Sequence, residues 1–311
     1  MRICLNLTRV ISLLVLFLCF PLSSVYARSF SLPAENQSLL GEILYTSTEN
    51  NDTPANIGQR YNIGLNAVIA ANPGVTERAV LPGGTSIKVA TQFLLPPLPR
   101  RGIVINLPEM RMYYYPPGSN EVMTFPIGIG RIGKTIPITN TAITRKVTNP
   151  IWIPPADIRK FNEEQGINLP KIMPAGPDNP LGPYAIYLRI PTYLIHSTIF
   201  PESIGRRASF GCIRMHEGDI KQFFPLVTPG TPVVIIDMPN KVAWNNNWLY
   251  LEAHEPLTEH SEADYASLNG IVSNIQGKLP RNHLTLIDWQ LVAYLAEDPD
   301  GMPHQIGVRL N

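Results

Sequence analysis

The sequence predicts a mainly β protein: a sandwich or barrel with short helices over residues 101–237, a small α+β unit before it and an extension after it. Three observations carry that expectation. Short strand-like runs recur between turn residues, at Ile103, Ile105 and Leu107, then at 110–115, 122–129, 184–190, 193–196 and 233–236. Proline numbers 31, roughly twice its usual share of about 5%, and proline breaks helix interiors and central strands. Apolar residues make up 44% of the 311, enough to bury a sizeable core.

In chain order, the first element is an address label. Arg2 and Arg9 flank a short basic start, residues 11–22 are apolar, and Ser23, Ser24, Val25, Tyr26 and Ala27 follow. This reads as a secretory signal cut after Ala27. The apolar run is shorter than the ~20 residues a membrane span needs, so the mature chain is expected to carry no transmembrane span. Cleavage removes Cys4 and Cys19 and leaves Cys212 as the single cysteine. One thiol cannot make an internal disulfide, so the exported chain has no disulfide framework. Charge is balanced, with 25 Lys plus Arg against 24 Asp plus Glu and no basic block. Nucleic acid is therefore excluded as the main partner.

A polar stretch to about Gln37 leads into a unit spanning 41–91. Tyr45 and Thr46 suggest a strand. Thr53 can cap a helix whose first position is Pro54. A second short helix covers 65–71 and stops at Asn72, Pro73 and Gly74, and 85–90 alternates as a strand. On Asp52-Thr53, the segment 58–61, Ala71-Asn72-Pro73 and the run 83–89, this unit resembles a LysM module. The resemblance implies binding of N-acetylglucosamine-containing glycan. The usual glycine turn before the first helix is replaced by Glu49-Asn50-Asn51.

Pro96, Pro97 and Pro99 make a stiff linker, with a boundary near Arg100. Within 101–237, helices are expected at 156–165, after Pro154-Pro155, and at 217–224. Tyr113, Tyr114 and Tyr115 read as strand and core. The extension, 238–311, is expected to hold a strand at 248–253 and a helical pair, 263–275 and 286–295, packed on the main domain.

The segment from His196 to Arg214 carries chemistry. A thiol of ordinary pKa, about 8.5, is only a few per cent thiolate at neutral pH, so a nucleophilic Cys212 needs a base. His196 ends a short strand and can take the proton. Gly211 lets backbone N–H groups approach a reacting carbonyl. Arg214 can clamp a carboxylate through two parallel bonds.

The segment Ile195-His196-Ser197-Thr198 followed by Ser209-Phe210-Gly211-Cys212-Ile213-Arg214 resembles the signature of YkuD-type L,D-transpeptidases. Asn149-Pro150-Ile151-Trp152, Leu181-Gly182 and Gly230-Thr231-Pro232-Val233 resemble its satellites in Gram-negative envelopes. The resemblance implies Cys212 as nucleophile and His196 as base. The Ser197 carbonyl would hold the imidazole, and the Gly211 and Cys212 N–H groups would line an oxyanion hole. Arg214 and Ser209 are expected on the substrate side, with Ser209 ordering the turn. It also implies a periplasmic enzyme that acts on peptidoglycan stem peptides and takes an amine as acceptor, a second stem or an envelope lipoprotein. Phe210 departs from the pattern where many members carry a second histidine, and Ile136-Pro137-Ile138-Thr139 replaces a Thr-Pro-x-Gly turn.

Two alternatives remain open at this point: a catalytically degenerate wall-binding protein, and an L,D-carboxypeptidase that uses water. No cofactor is called for. Cys212, His196 and His216 are zinc-type donors, but no second cysteine pair supports a metal site. His216 opens a helix and is expected to face solvent, as are Arg206 and Arg207.

Overall fold

The computed structural model describes residues 28–310; the segment read as an export signal lies outside the described residues. The first unit holds β1 (Arg28–Ser31), β2 (Leu39–Ser47), α1 (Pro54–Tyr61), α2 (Leu65–Ala70) and β3 (Ser86–Leu94). Strands β2 and β3 pair antiparallel over their full length. Helix α1 begins where Thr53 accepts a hydrogen bond from the Asn56 N–H, with Pro54 at its first position. It stops where Asn62 turns left-handed at φ 53°. Ile57, Ile63, Val68, Ile87, Val89 and Phe93 form the core of this unit.

The central unit contains β4 (Gly102–Asn106), β5 (Arg111–Tyr115), β6 (Glu121–Pro126), β7 (Ile129–Gly130), β8 (Thr139–Thr148), α3 (Ala156–Glu164), β9 (Tyr184–Leu188), β10 (Leu194–His196), β11 (Arg207–Ser209), β12 (Ile213–Arg214), α4 (Glu217–Leu226) and β13 (Pro232–Ile236). Nine strands form one sheet in the order β1-β6-β5-β4-β13-β8-β9-β10-β12, and β7 pairs separately with β11. Strand β8 serves both halves of the sheet. Thr139 to Ala142 face β13, and Ile143 to Thr148 face β9 across a register shift. Such a bulge bends the strand and increases its twist, which curls the sheet.

Alternation explains the burial of both sheet faces. Ile103, Ile105, Met112 and Tyr114 enter the main core with Ile220 and Phe223 of α4. Val104, Tyr113 and Tyr115 point the other way, toward Leu40 and Leu95. The three consecutive tyrosines are all buried, as a two-sided core strand requires. The stiff prolyl linker packs on the body of the protein. Leu95 is buried and donates its N–H to Ser38 O at 2.8 Å, and Leu98 packs on the same cluster. The polar lead-in contributes a strand: β1 adds an edge strand to the central sheet by pairing with β6.

The extension holds the expected strand at 248–253 and two helices, and adds three strands that the sequence reading did not expect. Strands β14 (Asn240–Asn245), β15 (Trp248–Ala253), β16 (Thr285–Ile287) and β17 (Pro303–Arg309) form an antiparallel sheet in the order β14-β15-β17-β16. Helices α5 (Leu268–Lys278) and α6 (Trp289–Glu297) cover it, capped by the Ser267 and Asp288 side chains. Their inner faces, Ile271, Ile275, Val292 and Leu295, meet Leu249, Leu251 and Ile306.

Buried polar contacts tie the units together. Lys241 Nζ of the extension lies 2.9 Å from Glu109 Oε2 and 2.7 Å from Glu252 Oε1, and donates to Leu94 O at 2.7 Å. All three charged side chains are buried. Burial pushes the Glu109 carboxyl up, but Lys241, His254 and Arg111 outweigh it and hold the group at about 2. Elsewhere the backbones of the first two units meet at glycines. A Cβ on Gly205 would lie 2.3 Å from Leu65 N, so no larger residue fits there.

Candidate active site

The short parallel pair β10·β12 sets the site. Its register is Ile195 opposite Ile213 and His196 opposite Arg214. Side chains alternate along a strand, so Ile195 and Ile213 drop into the main core. His196 and Arg214 therefore share the opposite face, and Cys212, two residues before Arg214, joins them. There Cys212 packs with Leu181, Ala185, Leu194, Trp152 and Tyr187. Cys212 lies diagonally from His196, one strand over and two residues along, which strand geometry places at about 8 Å between Cα atoms.

The histidine is held in one tautomer. Its Nδ1 lies 2.5 Å from the Ser197 carbonyl oxygen. A carbonyl can only accept, so Nδ1 carries the proton and Nε2 is left bare. Ser197 is anchored in turn: its Oγ donates to Leu181 O at 2.9 Å and accepts from the Tyr184 N–H at 3.1 Å. Burial, helped by the Arg214 charge, pushes the His196 imidazole down to about 3, against the pull of the Ser197 and Leu181 carbonyls. Burial pushes the Cys212 thiol up, opposed by the Leu194 N–H and Arg214. The resting pair is thus a neutral thiol and a neutral imidazole rather than an ion pair. The thiol donates to Thr192 O at 3.8 Å.

The loop before Cys212 is internally bonded. Ser209 Oγ donates to Cys212 O at 2.6 Å and accepts from the Gly211 N–H at 3.0 Å. The buried Ser209 hydroxyl orders the turn, as expected, with its proton and one lone pair engaged inside the loop. The Gly211 N–H is engaged there and is not aimed at an oxyanion. Gly211 is needed for conformation and space, with φ at 112° and a would-be Cβ 2.7 Å from the Tyr193 ring. Arg214 is half-buried, its Nε has no hydrogen-bond partner, and among the described residues no carboxylate forms a salt bridge with it.

A family model described as the L,D-transpeptidase catalytic domain matches residues 100–235. The Escherichia coli (strain K12) protein named Probable L,D-transpeptidase YcfS is 44% identical over 244 residues, 76% of each chain. The Salmonella typhimurium protein named Probable L,D-transpeptidase ErfK/SrfK is 43% identical over 240 residues, covering 75% of this chain and 76% of its own. The Escherichia coli (strain K12) protein named Probable L,D-transpeptidase YbiS is 41% identical over 241 residues, with 76% of this chain and 78% of its own covered.

The chain belongs to the L,D-transpeptidase family.

Several features of this L,D-transpeptidase were out of reach of the sequence pattern. Trp152 packs on the cluster that Cys212 joins, Tyr193 lies against Gly211, and Thr192, at φ 71°, presents its carbonyl to the thiol from a conformation that β-branched residues rarely adopt. Asn179 is buried and ties Pro150 O, Pro174 O and the Leu181 N–H together. The X-Pro and Asn-Pro pairs around 150–180 hinted at a folded loop but not at its contacts. His216 caps α4 and is buried, contrary to the solvent-facing expectation; burial alone pushes it down to about 4. Arg206 and Arg207 are not free surface cations, since they pair with Glu77 and with Glu259 (2.6 Å). The zinc-type trio weighed from sequence is not the one the fold assembles. Among the described residues, Glu109, Glu252 and His254 bring ligand atoms together, but Lys241 Nζ already lies between the two carboxylates as their cation.

Proposed function

We propose that this L,D-transpeptidase is exported to the periplasm by cleavage after Ala27 and acts there on peptidoglycan tetrapeptide stems through a Cys212 thioester. The observation that supports the reading is the register of β10 and β12, which sets His196, with Nε2 unprotonated, opposite an Arg214 that has no salt-bridge partner, two residues after Cys212. In the first half-reaction Cys212 Sγ attacks the carbonyl carbon of the third, diaminopimelate-type residue while its proton passes to His196 Nε2. The oxyanion forms beside the Cys212 N–H; one such donor is worth about 2.7–4 kcal/mol. The bond to D-alanine then breaks, and His196 returns the proton to the leaving amine. In the second half-reaction an acceptor amine attacks the thioester, loses its proton to His196, and frees the sulfur.

Arg214 fits this sequence in two ways. Its guanidinium can take a stem carboxylate bidentately. Its charge also depresses His196, so a substrate carboxylate that neutralises it raises the basicity of the imidazole when base is needed. Residues 41–91 serve as a LysM-like glycan-binding unit that keeps the chain on the wall. The acceptor is an amine, either a second stem or an envelope lipoprotein.

Incubation with purified disaccharide-tetrapeptides tests this. Release of D-alanine with cross-linked dimers, lost in Cys212→Ala, supports amine transfer. Trimmed monomers alone would make the enzyme a carboxypeptidase. Retained turnover in Cys212→Ala would refute the cysteine mechanism.

A further inference from the structure

Phe210 is the residue at which the sequence departs most visibly from its family pattern, and the structure gives it a different occupation. The Arg131 guanidinium lies 3.7 Å from the Phe210 ring centre and 4.0 Å from that of Phe161. The two rings are also in direct contact, edge to face at 5.2 Å. Arg131 is anchored from below, where its backbone N–H donates to Ser209 O at 2.9 Å. Phe161 belongs to α3, a helix with no buried residue of its own. That helix sits at the tip of the excursion 150–181, whose base is closed by the Trp152–Met173 bridge and by Asn179. Trp152 packs in the cluster that contains Cys212. A second tie, Lys134 Nζ to Asp157 Oδ2 at 2.7 Å, joins two exposed groups and is worth little by itself.

We propose that Phe210 is a positioning residue: with Arg131 and Phe161 it latches the 150–181 excursion against the loop that carries Cys212, and so sets how a stem peptide reaches the sulfur. The inference rests on the reading of Cys212 as nucleophile for its meaning, though not for its test. An arginine that caps two touching aromatic rings keeps its charge while losing part of its water, and here Arg131 and Phe210 are half-buried while Phe161 stays exposed. Helix α3 buries no residue fully, so the stack gives the tip a contact besides the exposed Lys134–Asp157 pair. A histidine at position 210 could serve as a second imidazole; a phenylalanine there exchanges that chemistry for a mechanical contact two residues from the nucleophile.

The test reads the rate at which Cys212 is labelled by a maleimide carried on a polyethylene glycol chain, quantified by peptide mass mapping so that Cys4 and Cys19 do not contribute. Phe210→Ala and Phe161→Ala are each expected to speed labelling by about five- to tenfold, the worth of one such contact. The double variant should be no faster than either single one, because both break the same latch. Phe210→Tyr, which keeps the stack, should match the wild type. With tetrapeptide substrate, the half-saturating concentration should rise more than the saturating rate falls. Labelling in Phe161→Ala at the wild-type rate would overturn the proposal, and this variant does not disturb the core. Additive effects in the double variant would overturn it as well. Labelling does not use the enzyme's own reaction, so failure of the latch and failure of the proposed function are seen separately.

Discussion

The junction between α1 and α4 makes a sharp prediction about pH and stability. Asp219 lies in the first turn of α4 and is buried. Its Oδ1 accepts from Asn62 Nδ2 at 2.9 Å, while its Oδ2 and Asn62 Oδ1 both lack partners. Burial pushes the carboxyl up to about 7, against the pull of Asn62 and Arg111. The helix N-terminus favours the anion by only about 0.3–1 kcal/mol, too little to reverse this. The rise from the ordinary 3.8 is roughly three pH units, or about 4 kcal/mol at 1.36 each. The native state holds this proton between about pH 4 and 7, where the unfolded chain has released it, so stability falls as pH rises through that window and the contribution is gone above it. His196 and His216 work in the opposite sense. Both are neutral in the native state and take up a proton below about 6.5 when unfolded, so their contribution is lost as pH falls. The wild-type curve sums these effects, and comparison with Asp219→Asn isolates the carboxyl. Urea unfolding of both proteins should show the wild type losing roughly 3 kcal/mol relative to the variant between about pH 5 and pH 8, since about two of the three units lie there. Parallel curves would refute the reasoning.

Other expectations follow from the same contacts. Lys241→Met leaves Glu109 and Glu252 buried without their cation; a loss of about 3–5 kcal/mol in chemical denaturation is expected, and a neutral effect would contradict the network. Gly211→Ala drives a Cβ into the Tyr193 ring and displaces the sulfur; acylation should fall about a hundredfold with the fold intact by circular dichroism. Because His196 sits at about 3 and the thiol is pushed up, kcat/KM for acylation should stay flat between about pH 5 and 8. A limb centred near 6.5 would show the imidazole to be solvated.

The legible parts of the sequence were those with local causes. Thr53-Pro54, the alternation in β4 and β13, and the helical spacing of Ile271 and Ile275 each reflect an element's own geometry. His196 and Cys212 were brought together in the sequence reading by the family resemblance; the register of β10 and β12 has no local signal in the sequence. The missed strands have long-range causes. Residues 303–309 contain Pro303 and Gly307, which argue against a strand, yet pairing with β15 and β16 on both sides overrides that preference. The turn at Asn246, left-handed at φ 55°, was a readable hairpin signal between β14 and β15 that the helical pattern downstream obscured. Burial of His216 and pairing of Arg207 with Glu259 depend on where α4 and the extension pack, which no local pattern states. The Gly211 N–H was assigned by family pattern, and only the position of the Ser209 hydroxyl shows it to be engaged.

The central claim is that Cys212 is the nucleophile and His196 its base. Intact mass spectrometry after exposure to a carbapenem, followed by peptide mapping, tests it most directly. The account expects one covalent adduct per chain, on Cys212, formed about a hundredfold or more slowly in His196→Gln. No adduct, an adduct on another side chain, or an unchanged rate in His196→Gln would contradict it.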